Sequence, residues 1–380
     1  MHPREEGSIP PIPSVEDRSN PGLGPGAQPI SSGPGYKGAP SWGPEGNRIA
    51  FTIDGYVADA AVGTGEFRRR TTRDFAAEEA VWTSGDHLAI LGAPVGDGGT
   101  SRSLYRTTPE EGSLGVDEIS PGVRAMSADP EDGSMVVALE AGPNDSRLAL
   151  LRGDDRIERF YTSAIGGAVT GLSLSPDGEE AILAVRAGGP YGPYDLHVFD
   201  LRTGEDQRVA SLGAGQEIFG APQSTEHGTY YVSGEGQGSG NGETALYGLY
   251  RLPTHPKEGD LPEPAPGVGE DFVAAGVRAS PDGERLAVIG RLNPKSPLNL
   301  YVLDLTTKDL VAVITNEDME IKTGPDDLDW SPQGGSVAIV ARGAPSGEPS
   351  VRAAPSETLL EDFYNLYEVP VGVPAGRGPQ

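Results

Sequence analysis

The chain has 380 residues and a formal net charge of −27 at pH 7, with 56 acidic side chains against 29 basic ones. That excess would repel a polyanion such as DNA, which sets nucleic acid aside as a partner. Cysteine is absent, so disulfides, thiolate metal sites and cysteine nucleophiles are excluded together, and no run approaches the roughly 18 apolar residues of an integral membrane helix.

Residues 1–25 carry six prolines and no sustained apolar run, which predicts a tail without a packed core. Beyond it a turn signal recurs. Trp42-Gly43-Pro44-Glu45-Gly46 precedes Ile49-Ala50-Phe51. Trp82-Thr83-Ser84-Gly85 and Asp129-Pro130-Glu131-Asp132-Gly133 are weaker copies. Ser175-Pro176-Asp177-Gly178 precedes the apolar run Ala181–Val185. Thr225-Glu226-His227-Gly228 is again weak. Ser280-Pro281-Asp282-Gly283 precedes Leu286–Ile289, and Trp330-Ser331-Pro332-Gln333-Gly334 precedes Val337–Val340.

The turn glycines 46, 85, 133, 178, 228, 283 and 334 are 39 to 55 residues apart. That is the period of a four-stranded blade. The turn has a mechanism: Pro presets φ, Asp tolerates the next position, and Gly takes the positive φ that most side chains resist. The strand before each turn is then innermost and the apolar run after it second. Third strands follow, as in Leu196–Asp200, Leu300–Asp304 and Leu366–Val369. Fourth strands are readable at Gln207–Ala210 and Leu310–Val313. The last repeat lacks a fourth strand, whereas a spare segment, Ala27–Ser32, precedes the first repeat. An open ring would leave an unpaired edge, so this segment near Ile30 is expected to pair with Asn365–Val369. The predicted fold is all-β: a seven-bladed β-propeller with four-stranded antiparallel blades, its ring closed by an N-terminal strand. The expected organisation is a tail at 1–25, one propeller domain at 26–372 and a short tail at 373–380.

The repeat resembles that of the TolB family: a small or apolar residue, a Trp-Ser-Pro-Asp-Gly turn, an Ile-Ala-Phe-like strand and an Asn-Leu-Tyr-like strand. Segment 39–53 carries it with Ala39-Pro40-Ser41-Trp42 and Arg48-Ile49-Ala50-Phe51, and segments 327–340 and 299–304 match comparably. The resemblance implies the architecture. TolB-like propellers serve as periplasmic scaffolds for partner proteins, as gating domains of prolyl oligopeptidase-like enzymes and as carbohydrate lyases. TolB itself has six blades and a preceding α/β domain, whereas seven repeats stand here without one, so its specific partners do not carry over.

Motifs for chemistry are scarce. Gly238-Ser239-Gly240 lies in a glycine-rich stretch without the strand-to-helix context of a nucleophile elbow and reads as an inter-strand loop. None of His2, His87, His197, His227 and His255 stands at a metal-ligand spacing; they read as structural or surface groups. Asp97 among glycines, Asp154-Asp155 and Asp326-Asp327-Leu328-Asp329 invite a calcium reading, but none has EF-hand spacing, and the expectation is no cofactor, with calcium the one metal these carboxylates would suit. Trp42, Trp82 and Trp330 share one repeat position, immediately before the turn, which predicts packing between blades.

One residue earlier lies a slot holding Ser41, Val81, Ser127, Ser173, Gln223, Arg278 and Asp329. Equivalent inner-strand positions lie at one height around a channel, so Arg278 and Asp329, in adjacent blades, are expected to face each other. Asp327, one pleat away, is expected to present a second carboxylate at the channel mouth. These three are the candidate ligand-binding residues, with no catalytic residue assigned. The leading functional reading is a non-enzymatic, monomeric scaffold that engages a protein or small extracellular ligand at one face of the ring. The alternative is a lyase or hydrolase with its site at the channel mouth. Met1 is followed by His-Pro-Arg-Glu-Glu rather than an apolar segment. A Pro/Gly/Ser-rich start is typical of a chain whose leader has been removed or whose lipid anchor lies upstream, so an extracytoplasmic location is expected, with the cytoplasm as the alternative.

Overall fold

The computed structural model describes residues 27–31, 34–83, 86–95, 102–107, 114–129, 133–152, 156–189, 191–213, 215–235, 247–315, 319–343 and 363–371. The tail at 1–25, Gly85, Asp97, Pro130–Asp132, Asp154-Asp155 and Gly238-Ser239-Gly240 lie outside them. Among the described residues there is no helix, and the strands form seven antiparallel sheets in a ring.

The turns form as their chemistry dictates. Gly46, Gly178, Gly283 and Gly334 have φ between 66 and 69°, and each donates its amide to the carbonyl three residues back at 2.8–2.9 Å. In the Ser-Pro-Asp-Gly copies the Asp closes the turn further. Asp177 accepts from the Ser175 hydroxyl at 2.6 Å and from the Glu179 amide at 3.1 Å. Asp282 accepts in the same way from Ser280 and Glu284.

Each turn joins an inner strand to a fully buried second strand. Blade 1 is Lys37–Trp42, Arg48–Ile53, Tyr56–Ala61 and Phe67–Arg69. Blade 2 begins with Phe75–Trp82, blade 3 with Val123–Ala128, blade 4 with Ala168–Leu174, blade 5 with Gln216–Thr225 and blade 6 with Val273–Ala279. Alternate side chains of a strand point to opposite sheet faces, so each second strand feeds two interfaces. In Ser336–Gly343 of blade 7, Val337, Ile339 and Ala341 pack toward blade 6, while Ala338 and Val340 pack toward blade 1. Seven apolar clusters result, one at each blade interface. Burial on both faces explains the continuous apolar runs.

The tryptophans pin neighbouring blades. Trp82 Nε1 donates to the Ser41 carbonyl of blade 1 and Trp330 Nε1 to the Arg278 carbonyl of blade 6, both at 3.0 Å. Arg70 lies over the Trp82 ring and Arg285 over Trp330. Trp42 has the same slot at the seam between blades 7 and 1, but its buried indole N–H has no partner among the described residues.

The ring closes as expected. Gln28–Pro29 pairs antiparallel with Asn365–Pro370, the third strand of blade 7, in the register Gln28↔Glu368 and Pro29↔Tyr367. The amides of Ile30 and Ser31 donate to the Leu366 carbonyl at 2.9 and 3.3 Å, and the Leu366 amide donates to Ser31 Oγ at 3.0 Å. Ala27 packs into the interface of blades 6 and 7, and Ile30 into that of blades 7 and 1.

Inner strands are irregular in a consistent way. In blades 1–6 the pairing shifts register between Gly38/Ser41, Ala77/Glu79, Val123/Ala125, Val169/Gly171, Phe219/Gln223 and Ala274/Gly276. Blade 7 carries the same irregularity to completion. Its inner strand is split into Met319–Ile321 and Leu328–Trp330, which pair with the second strand on either side of Val340. Residues 323–326 leave the sheet between them, with the Lys322 amide and the Asp327 carbonyl still bonded to Val340.

Candidate channel site

The seven slot residues counted back from the turns all line one central cavity of about 600 Å³. The alignment of the repeats therefore holds around the whole ring. At one end the cavity is bordered by the turn residues Pro44, Pro281 and Pro332, and at the other by Arg102, Gly220 and Asp326.

The charged residues at that far end are arranged differently from the expectation. Arg278 makes its ion pair with Asp326 at 3.0 Å rather than with Asp329, and the two side chains keep 22% and 45% of their surface exposed. The reason is the split strand. Leaving the sheet after Lys322 lets the chain carry Asp326 into the cavity, where it rather than the slot residue pairs with the guanidinium. Asp329 lines the cavity but turns its carboxylate to blade 1, where Oδ2 accepts the Trp42 amide at 2.8 Å. It acts on Arg278 at longer range. Asp327 does not join them: it is buried beside Lys322, whose Nζ donates to Asp327 Oδ1 and to the Lys37 carbonyl, each at 2.9 Å. The carboxylate expected at the channel mouth instead anchors the excursion to blade 1.

A fourth group comes from across the ring. Glu79, on the inner strand of blade 2, borders the cavity within electrostatic reach of Asp326 and Arg278. The slot holds charge only at Arg278 and Asp329, in blades 6 and 7, and Glu79 adds a charged inner-strand residue from a third blade. A signal was present two residues before the slot: this position holds Ala39, Ala125, Gly171, Ala221 and Gly276 in five blades, Asp327 in blade 7 and Glu79 in blade 2. Beside it, Glu78 pairs with Arg102 at 2.8 Å, and Arg102 also donates to the Arg124 carbonyl at 2.8 Å.

Confinement by the ring sets the protonation states. Burial raises the Glu79 pKa to about 8; the Asp326 charge adds to that, and Arg278 and Arg102 oppose it. Burial raises Asp329 to about 6 against the Arg278 charge and the amides of Trp42 and Trp330. Burial also raises Asp327, opposed by Lys322. Burial disfavours the Arg278 cation, but Asp326, Asp329 and Glu79 outweigh it and its pKa rises. Near neutral pH the cavity thus holds a guanidinium, a carboxyl that keeps its proton and a carboxylate from the blade 7 slot. This set can donate and accept hydrogen bonds to a polar solute and bind either sign of charge.

The four described histidines each meet a polar group, and His2 lies outside the described residues. His197 meets Asp206 at 2.9 Å, His227 meets Glu284 at 3.0 Å, His255 meets Glu180 at 3.1 Å and His87 meets the Thr107 carbonyl at 3.3 Å. Among the described residues no three His, Asp or Glu side chains gather as a metal ion would require.

No family model matches the chain, and no curated protein matches it. Solved structures do match. An oligogalacturonate lyase in complex with manganese is 12% identical, with 95% of this chain and 96% of that one covered and a TM-score of 0.58. Hydrazine synthase of Kuenenia stuttgartiensis is 14% identical over 85% and 97%, with a TM-score of 0.55. The oligogalacturonate lyase of Vibrio parahaemolyticus is 11% identical over 91% and 93%, with a TM-score of 0.53. A putative TolB from Agrobacterium tumefaciens reaches only 0.45 at 12% identity, over 90% and 93%, too distant to carry an argument. At these identities the likeness is one of fold, the seven-bladed propeller.

Proposed function

We propose that the protein is a binding propeller that takes a polar ligand, or a polar segment of a partner protein, at the far end of the central cavity. The observation that carries this reading is the meeting of Arg278, Asp326, Asp329 and Glu79 from three blades in one cavity, in a ring whose other slot residues are uncharged. A group with both a cationic and an anionic end suits this set: the anion faces Arg278, and the cation faces the carboxylates. Peptides and amino sugars have that chemistry. The described residues include no helix long and apolar enough to cross a membrane.

A second reading, a lyase or hydrolase at the same mouth, is favoured by one observation. Glu79 titrates near pH 8, where a carboxyl can exchange a proton with a substrate. Two of the solved neighbours are named oligogalacturonate lyases, so an oligogalacturonate is the first substrate to try.

The test is a thermal-shift panel of di- and tripeptides, amino sugars and oligogalacturonates on the wild type and Arg278→Ala. The binding reading expects one class to raise Tm in the wild type and not in the variant. An equal shift in both proteins would place the ligand elsewhere. An absorbance rise from unsaturated product would favour the enzyme reading.

A further inference from the structure

Among the described residues, blade 7 has the longest break in an inner strand: residues 323–326 leave the sheet, while the Lys322 amide and the Asp327 carbonyl stay bonded to Val340. Three sets of contacts hold it. On the blade 1 side, Lys322 Nζ donates to the Lys37 carbonyl and to Asp327, and lies 4.3 Å from the centre of the Tyr36 ring. On the blade 6 side, Asp326 pairs with Arg278 at 3.0 Å. Between these, Gly324 and Pro325 reach across to blades 5 and 6. A methyl group at Gly220 would meet Pro325 Cβ at 2.6 Å, and one at Gly276 would meet the Gly324 carbonyl oxygen at 3.1 Å. Gly220, with φ of 83°, also adopts a backbone that other residues resist. Two glycines therefore clear a seat for the segment. Within the segment Asp326 is the residue that lines the cavity, at the end that holds the charged groups, while Glu78, Leu91 and Arg102 border the blade 2 side.

We infer that residues 323–326 form a strap at one end of the binding cavity, latched by the Arg278–Asp326 ion pair, and that Glu79 is the competing carboxylate that releases the latch. This rests on the cavity being the binding site, but the strap is tested without a ligand.

The geometry gives the competition its direction. Arg278 shares the cavity with Asp326 on the strap and with Glu79 on blade 2, three blades further round. The charged groups facing Glu79 are Asp326 from blade 7, Arg278 from blade 6, and Arg102 and Glu78 from blade 2. With its proton, Glu79 leaves Arg278 to Asp326 and the strap stays down. Without it, Glu79 attracts Arg278 and repels Asp326, and both effects loosen the latch. Its titration near pH 8 puts the release on the alkaline side of neutrality. A ligand cation seated beside Glu79 would remove the same proton, so binding and strap release would be coupled.

Hydrogen exchange of the peptide covering 319–330, corrected for the intrinsic pH dependence of exchange, tests this in the free protein. Wild-type protection is expected to fall by roughly threefold or more between pH 6.5 and 9, the scale of a partly exposed ion pair. Glu79→Gln should remove that fall, and Asp326→Asn should lower protection already at pH 6.5. Far-UV spectra and Tm confirm that both variants are folded. A Glu79→Gln profile identical to wild type, or an Asp326→Asn strap as protected as wild type, overturns the inference. If the strap behaves as stated but no ligand in the panel binds, the binding reading fails and the latch stands.

Discussion

Removing residues 1–31 should unclasp the ring. Ile30 is 2% exposed at the seam of blades 7 and 1, and burying such a side chain is worth about 1.5–3 kcal/mol. Three hydrogen bonds go with it: the Ile30 and Ser31 amides to the Leu366 carbonyl, and the Leu366 amide to Ser31 Oγ. At roughly 0.5–1.5 kcal/mol each, the loss comes to about 3–7 kcal/mol. That is a large part of the 5–15 kcal/mol typical of a folded domain. The truncation also bares the edge of Asn365–Pro370, a template for aggregation. Urea unfolding followed by tryptophan fluorescence reads the effect, because Trp42 and Trp330 lie in the two clusters that Ile30 and Ala27 complete. The control is removal of residues 1–25 alone, which should leave the midpoint unchanged. Equal midpoints for the two truncations would refute closure by the N-terminal strand.

Further predictions concern the seams and the channel. Trp82→Phe and Trp330→Phe each lose an indole hydrogen bond to the preceding blade and should cost about 1 kcal/mol more than Trp42→Phe, whose indole has no partner to lose; equal costs in urea unfolding would contradict the assignment. A double-mutant cycle of Arg278→Ala with Asp326→Ala should show a coupling of about 0.2–1 kcal/mol, since both side chains are partly exposed, and the cycle with Asp329→Ala should show less. Glu79 has a folded pKa raised from 4.5 to about 8, so the folded state holds its proton more tightly. Its contribution to stability is complete below pH 4.5 and is lost as pH rises through 8. Glu79→Gln should therefore match wild type at pH 4.5 and exceed it at pH 9 in urea unfolding, and a gain that is equal at both values would be inconsistent with this shift.

The repeats were legible because each blade writes its own turn. Ser175-Pro176-Asp177-Gly178 states its geometry in four residues, and counting back from it located a slot whose seven members all line the cavity. Even the weak copy at Gly228 keeps a positive φ, here 139°. What escaped was irregularity. Counting further back than the slot assumes an unbroken strand, and in blade 7 residues 323–326 leave the sheet. Nothing in Asp326-Asp327-Leu328-Asp329 says that the first carboxylate enters the cavity, the second turns to Lys322 and the last reaches the Trp42 amide. That division depends on Gly220 and Gly276, more than 45 residues earlier in the chain, which make room for Gly324 and Pro325. Glu79 was readable in principle, as a carboxylate in a position that five other blades fill with alanine or glycine, but its partners lie in blades 6 and 7 and only ring closure brings them together.

The most direct test of the account is the titration of Glu79 itself, followed by carboxyl carbon NMR in selectively labelled protein. If blades 2, 6 and 7 place Glu79, Asp326 and Arg278 around one cavity, Glu79 titrates near pH 8 in the wild type. It moves higher still in Arg278→Ala, because the guanidinium that favours its charged form is gone. A Glu79 that titrates near its ordinary value of 4.5, or that is unmoved by Arg278→Ala, would contradict the convergence on which the proposed binding site stands.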